Sequence, residues 1–92
     1  MNLLNKIFAS KTQAKLLALF FQNPNQKYYQ RELKQKLGDS LSTIQYEIKR
    51  LIEIGLLEAE KKDRKIYYSL NKAFYLYPEL RDIIFKTNQR SL

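Results

Sequence analysis

The side chains with the clearest chemistry lie in one stretch between Ser40 and Gly55. Apolar residues recur there at the spacing of a single helix face, which predicts an amphipathic helix over residues 41–54. The apolar stripe consists of Ile44, Ile48 and Leu51, and the polar residues beside it are Ser42, Thr43, Gln45, Tyr46, Lys49 and Arg50. Hydroxyl, amide and cationic groups bind polar or anionic partners through hydrogen bonds and charge. Ser40 can cap the start of this helix, and Gly55 can end it.

The sequence lacks the residue types that most catalytic and metal sites use. It contains no cysteine, which excludes a disulfide framework and a thiolate metal site. It contains no histidine, which is the commonest metal ligand and the commonest general acid or base. The acidic residues form no cluster with the spacing of a metal site. We therefore expect a binding protein that is not an enzyme and that uses neither a metal nor a cofactor.

The net charge of +8 on 92 residues is large and favours an anionic partner. Nucleic acid is the first candidate and an anionic membrane surface is the second. No stretch reaches the roughly 18 apolar residues that a membrane span needs. Residues 1–9 are too few and too polar for a signal peptide. A cytoplasmic protein with one small domain, covering residues 1–92, is the expectation.

Helical patterns occupy the first half of the chain. Ser10 opens a capping box with Gln13, and residues 11–22 are apolar nearly all round, which predicts a buried central helix. A short helix over residues 30–37 ends at Gly38. It is joined by a tight turn to the amphipathic helix described above, and two helices connected in this way form the helix-turn-helix pattern.

The pattern changes after Gly55, where two strands of a hairpin are predicted within residues 56–70. The link between the strands, residues 61–65, carries four cations and one aspartate. A brief edge strand is predicted at residues 27–29, and Pro78 is well placed in the first turn of a last helix over residues 78–88. The predicted fold class is therefore mainly α with a small β-hairpin.

Three helices followed by a hairpin is the order of a winged helix-turn-helix domain, in which the hairpin is the wing. Residues 42–51 (STIQYEIKRL) and 55–57 (GLL) resemble the recognition helix of the ArsR/MarR-type bacterial and archaeal regulators. Shorter motifs at residues 10–12, 28–33 and 77–81 resemble the winged-helix domains fused in front of small prokaryotic nucleotidyltransferases.

The resemblance covers roughly residues 8–87, and two departures limit what it implies. The catalytic Gly-Ser and paired-Asp motifs of the nucleotidyltransferases are missing, so transferase activity is not carried over. Metal-sensing members of the arsenic-type group use cysteines and histidines, which this chain lacks, so metal-gated release from DNA is not expected either.

The resemblance implies that the helix over residues 41–54 enters the major groove of DNA. Ser42, Thr43, Gln45 and Tyr46 would then face base edges or nearby phosphates, whereas Lys49 and Arg50 would meet phosphates. The remaining predicted DNA contacts are Gln30 and Arg31 to phosphate, Lys62 and Lys65 to the backbone, and Arg64 to a narrow minor groove. The alternative is that the helix face is merely solvated and that the basic turn merely aids solubility. Arg31 could equally pair with an acidic residue.

Residues 41–65 contain six cations and five acids, so DNA binding by this part of the chain requires that the acidic side chains avoid the DNA. The glutamates that must point away from DNA are Glu47, Glu53, Glu58 and Glu60. Glu47 lies close to the presumed groove and could instead accept a hydrogen bond from cytosine N4.

Apolar stripes near both ends of the chain predict a two-fold dimer interface, made by Leu3, Leu4, Ile7, Phe8, Leu80, Ile83 and Ile84. The expected function is a prokaryotic, sequence-specific regulator that binds double-stranded DNA as a homodimer and represses by occupying its site. The alternative is a winged-helix interaction module, such as an adaptor for a separately encoded nucleotidyltransferase or another protein.

Overall fold

The computed structural model describes residues 10–90, with side chains as far as Lys86. Within these residues the elements follow in the order α1 (Lys11–Gln22), β1 (Tyr28–Tyr29), α2 (Gln30–Leu37), α3 (Leu41–Glu53), β2 (Leu57–Lys62), β3 (Lys65–Leu70) and α4 (Tyr77–Arg90). The strands form one antiparallel sheet with the order β1–β3–β2. This is a winged helix-turn-helix, in which α2 and α3 form the helix-turn-helix and β2 and β3 form the wing. The predicted fold class and the predicted edge strand are confirmed.

The core surrounds α1, as the apolar composition of that helix predicts. Leu16, Leu17 and Phe20 of α1 are fully buried. They pack with side chains from every other helix and from the sheet, which are Leu33, Ile44, Ile48, Leu51, Leu57, Tyr68, Leu70 and Ile84. Burying one leucine or phenylalanine side chain stabilises the fold by about 1.5–3 kcal/mol. The buried stripe of α3 thus fixes the orientation of the opposite, polar face of that helix.

Strand β1 is held against α1 by an aromatic contact. The Tyr28 ring lies edge-on to the Phe20 ring, with 5.2 Å between their centroids. Burial of the Tyr28 hydroxyl, together with the negative charge of Glu32, raises the pKa of Tyr28 above its ordinary value. Tyr28 and Tyr29 pair with Tyr68 and Tyr67 of β3.

Two carboxylates of the helix-turn-helix bind the first turn of α1. The Ser10 hydroxyl accepts a hydrogen bond from the Gln13 backbone N–H at 3.0 Å, which is the predicted cap, and donates one to Glu47 Oε2 at 2.6 Å. The Thr12 hydroxyl donates to Asp39 Oδ2 at 2.9 Å. Negative charge is stabilised at a helix N-terminus by the unpaired backbone N–H groups there. These contacts join α1 to α3 and to the turn before it.

Glu47 is only 2% exposed and lies on the buried side of α3. The predicted alternative that Glu47 binds cytosine is therefore wrong, whereas the condition that it point away from the exposed face is met. From the sequence, Glu47 was expected to be exposed, because carboxylates are seldom buried without a partner. The partner is Ser10, which lies 37 residues away in the sequence.

The wing ends in a two-residue turn. Asp63 and Arg64 both have left-handed backbone conformations, with φ of 52° and 68°, between the paired residues Lys62 and Lys65. Two positive φ angles in a two-residue loop are typical of a type I′ turn, whose twist matches that of the strands. The strands consequently extend further than expected, and Lys61, Lys62 and Lys65 belong to the ladder rather than to a loop.

Replacing Ser10 by alanine tests the anchor of α1. Ser10→Ala removes the cap and leaves the Glu47 carboxylate buried without its hydroxyl donor. We expect the free energy of unfolding to fall by about 2–4 kcal/mol in chemical denaturation. The double variant Ser10→Ala/Glu47→Leu should be more stable than Ser10→Ala, since it removes the buried charge as well. A single-variant loss below about 0.5 kcal/mol, the size of an ordinary surface substitution, would contradict the proposed anchor.

Candidate nucleic-acid interface

The two-sided character predicted for α3 is confirmed. Ile44, Ile48 and Leu51 are buried. The six polar residues predicted as DNA contacts on this helix are all exposed, and they are Ser42, Thr43, Gln45, Tyr46, Lys49 and Arg50. The Arg50 guanidinium lies over the Tyr46 ring, 5.7 Å from its centroid. Helix α3 therefore presents one continuous polar surface, in which hydroxyl groups come first along the chain and cations last.

Three hydroxyl groups meet at the start of α3. Ser40 caps the helix by accepting from the Thr43 backbone N–H at 3.3 Å. Its hydroxyl also lies 2.8 Å from that of Thr43 and 3.3 Å from that of Ser42. Each hydroxyl can donate one hydrogen bond and accept others, so the exposed cluster retains bonding capacity for a phosphate or a base edge.

A chain of side-chain hydrogen bonds connects α3 to α2 and to the sheet. Gln45 Nε2 donates to Gln30 Oε1 at 3.1 Å, and Gln30 Nε2 donates to the Tyr68 hydroxyl at 3.1 Å. Gln30 is half-buried. The two bonds leave one hydrogen on Gln30 Nε2, and the predicted phosphate contact can use only this hydrogen. The sequence did not indicate this series of hydrogen bonds, since the bonded residues are separated by 15 and 38 positions and follow no periodic pattern.

Cations from three elements line a cleft of about 350 Å³ between the start of α2 and the wing. They are Arg31 of α2, Arg64 of the turn and Lys65 of β3. Lys65 Nζ lies 4.3 Å from the centroid of the Tyr29 ring, which is a cation–π distance. Among residues 10–90 none of these cations pairs with a carboxylate. The cleft therefore contains three cations that form no ion pair with an acidic side chain in this part of the chain.

The cleft and the exposed face of α3 are continuous. A second groove is lined by Gln45 and Lys49 of α3, and Gln30 and Tyr68 line both this groove and the cationic cleft. The structure thus brings together predicted contacts from α2, α3 and the wing, although the sequence indicated no proximity between Arg31 and Arg64.

The exposed glutamates are distributed unequally around this surface. Glu58 and Glu60 pair with Ser69 and Tyr67, which places them on the sheet face opposite the buried Tyr68. Glu60 also forms an ion pair with Lys27 at 3.3 Å. Both therefore point away from α3, but they share their sheet face with Lys62 and Lys65, so the requirement is met only with respect to α3. Glu53 instead lines the groove that contains Gln45 and Lys49, so the requirement is not met for Glu53.

The predicted dimer residues have different surroundings. Leu3, Leu4, Ile7 and Phe8 lie outside the described residues. Ile84 is 2% exposed and belongs to the core of its own chain, so its assignment to a dimer surface is wrong. Leu80 packs against the same core, and Ile83 remains 38% exposed. Phe85, which the sequence reasoning passed over, is 62% exposed beside Ile83 and Ile84 along the chain.

Within residues 10–90 no group of three or more acidic, histidine or cysteine residues is placed to hold a metal ion. None of the helices in this same part of the chain is long and apolar enough to cross a membrane.

Comparison with known proteins identifies the fold. A scan of protein-family models finds no match, and a search of curated proteins finds no significant relative. Among solved structures, the adhesin competence repressor AdcR of Streptococcus pyogenes is similar over 97% of this chain and 66% of its own, with 21% identity and a TM-score of 0.73. The transcriptional regulator HlyU of Vibrio vulnificus is similar over 95% of this chain and 82% of its own, with 23% identity and a TM-score of 0.70.

A single-residue mutant of Lactococcus lactis ZitR is similar over 89% of this chain and 54% of its own, with 20% identity and a TM-score of 0.70. The chain thus spans 66% of the length of AdcR and about half that of ZitR. These similarities bear on the fold, and they agree with the order of helices and strands described above. The chain therefore has the winged-helix fold found in these bacterial proteins.

Proposed function

We propose that this protein is a transcriptional regulator that binds double-stranded DNA in a sequence-specific way. The observation that carries the proposal is the continuity of the exposed face of α3 with the cationic cleft, through the shared residues Gln30 and Tyr68. Hydrogen-bonding side chains suited to base edges thus lie beside unpaired cations suited to phosphates. The structural similarity to the repressor AdcR and the transcriptional regulator HlyU supports the same function.

In this proposal α3 lies in the major groove, and its Ser42, Thr43, Gln45 and Tyr46 side chains contact base edges. Lys49 and Arg50 then contact phosphates beside that groove, and Arg64 at the tip of the wing approaches the minor groove. Arg31, Lys62 and Lys65 bind the backbone between them. Each neutralised phosphate releases counterions, so the affinity falls steeply as the salt concentration rises.

The regulator acts as a homodimer, because one winged helix covers a short site and two copies can read two half-sites. Ile83 and Phe85 provide exposed apolar area on α4 for this contact. Leu3, Leu4, Ile7 and Phe8 are proposed as further contact residues from the sequence alone. Repression follows from occupation of the site, which blocks access for other proteins.

A protein-interaction module is the second candidate function. Tyr75 and Phe85 are 79% and 62% exposed, and large exposed aromatic side chains are enriched where proteins bind each other. In that case the domain would dock on another protein, such as a separately encoded nucleotidyltransferase. Charge reversal at Lys49 and Arg50 separates the two functions.

Charge reversal on α3 tests DNA binding. The double variant Lys49→Glu/Arg50→Glu replaces two exposed cations with acids, and we expect duplex affinity to fall about 100-fold or more. Fluorescence anisotropy with a duplex selected from a random pool measures the loss. Lys72→Glu/Lys86→Glu makes the same change in formal charge outside the interface, and screening within about 8 Å should keep its effect near threefold. Equal losses in both variants, or unchanged binding by the α3 variant, would argue against the proposed interface.

The wing offers a substitution whose effects on stability and on binding have opposite signs. Arg64→Gly removes a side chain from a left-handed position, and we expect it to stabilise the fold by about 0.5–1 kcal/mol. The same change should weaken DNA binding about tenfold, as expected for losing one charge-assisted contact. Thermal unfolding and anisotropy measure the two effects. Arg81→Ala removes one cation from α4 and should leave duplex affinity nearly unchanged, and a wing without a role in binding would give the same affinity for both variants.

Exposed apolar residues on α4 give a test of the dimer. Ile83→Asp/Phe85→Asp introduces two charges on the proposed contact, and sedimentation at high micromolar concentration should change from dimer to monomer. Tyr75→Asp alters a still more exposed side chain before α4 and serves as the control. A wild-type protein that sediments as a monomer would refute the dimer directly.

A further inference from the structure

The hydrogen-bond chain between α3, α2 and β3 restricts the orientation of two amide groups. Gln30 Nε2 donates to the hydroxyl of the buried Tyr68 at 3.1 Å. With its nitrogen directed at Tyr68, Gln30 directs its oxygen at Gln45, where it accepts from Nε2 at 3.1 Å. The exposed Gln45 side chain is thus held by a contact that originates in the core.

This contact uses one of the two hydrogens on Gln45 Nε2. A primary amide offers two N–H donors and one oxygen acceptor. With one hydrogen directed at Gln30, the Gln45 amide retains one donor and its acceptor oxygen for an outside partner. The Gln45 amide can therefore form two hydrogen bonds with a base, one as a donor and one as an acceptor.

The major-groove edges of adenine and guanine differ in how they complement this donor and acceptor. Adenine presents the N7 acceptor beside the N6 donor, which complements one donor and one acceptor. Guanine presents two acceptors, N7 and O6. Bonding both guanine atoms would need both hydrogens of the Gln45 amide, one of which is bound to Gln30, and otherwise Gln45 Oε1 would face guanine O6 without a hydrogen between them.

We infer that Gln30 is a specificity-determining positioning residue, which makes Gln45 favour adenine over guanine at one position of the DNA site. This inference rests on the proposed function, because it requires α3 to lie in the major groove. Gln30 acts through Gln45 and need not touch the base. Its effect on the choice of base is therefore separate from the predicted phosphate contact of its remaining amide hydrogen, whose loss would lower the affinity for both duplexes equally.

Three variants and two duplexes test the inference. The duplexes are a site selected by the wild-type protein from a random pool and the same site with the adenine assigned to Gln45 changed to guanine. That position is the one at which Gln45→Met loses base preference. The wild-type protein should prefer adenine about tenfold or more. Gln30→Met removes both polar atoms while retaining length, and the preference should fall below about threefold while the adenine duplex is still bound.

Gln30→Glu is the conservative rescue. Its carboxylate can accept from Gln45 Nε2 and from the Tyr68 hydroxyl, so the adenine preference should stay near the wild-type ratio. Its negative charge lowers the affinity for both duplexes equally. A purely structural role for Gln30 would change stability or total affinity in both variants without separating their base ratios.

The outcomes distinguish the inference from the proposed function. Failure of the wild-type protein to bind any duplex refutes the proposed function and, with it, the inference. Sequence-specific binding in which Gln30→Met keeps the full adenine preference refutes the inference alone. So does binding without an adenine preference at the Gln45 position, or an equal loss of preference in Gln30→Met and Gln30→Glu. Loss of preference in Gln30→Met together with its retention in Gln30→Glu supports the inference.

Discussion

The placement of the helix-turn-helix depends on the first turn of α1. Ser10 and Thr12 bind carboxylates from α3 and from the turn before it, with Glu47 and Asp39 as the acceptors. Lys15 adds an ion pair with Asp39 at 3.4 Å. Apolar packing alone is not directional, and it would tolerate small rotations of α3 around its axis. Hydrogen bonds to a buried carboxylate have strict geometry, so they fix which residues of α3 are exposed.

This arrangement also affects the charge of the exposed surface. A glutamate at position 47 on the outer face would oppose Arg50, which lies about one turn away. Its burial against Ser10 removes that charge from the surface that faces outward. The same interaction therefore contributes to the fold and to the positive potential of the candidate interface. Glu53 remains exposed beside Lys49, and it limits how basic the groove next to α3 can be.

Much of the fold follows from patterns that are local in sequence. The periodicity of Ile44, Ile48 and Leu51 predicted the buried side of α3, and the preferences of Ser40 and Gly38 for helix ends predicted their capping positions. These features depend on neighbours within a few residues. The exposed positions of the predicted contacts on α3 follow from the same periodicity.

The features that were missed depend on distant neighbours or on the sign of φ. The partner of Glu47, the bonds of Gln30 and the shared cleft of Arg31 and Arg64 arise only when separate elements are packed together. Ile84 appeared to belong to a surface stripe, because a helical pattern shows that one face is apolar but does not show what covers it. The two-residue turn was hidden since neither Asp63 nor Arg64 is glycine, although both have positive φ.

The cationic cleft exists because strand β1 is short. Strand β1 pairs with β3 only at Tyr28 and Tyr29, and the chain then turns directly into α2. Beyond Tyr67 the edge of β3 has no neighbour on that side, and Lys65 and Ile66 line the gap together with Arg31. A longer β1 would continue the sheet across this gap and bury the same side chains. The width of the cleft is therefore determined by where one strand stops, and not by the residues that carry its charge.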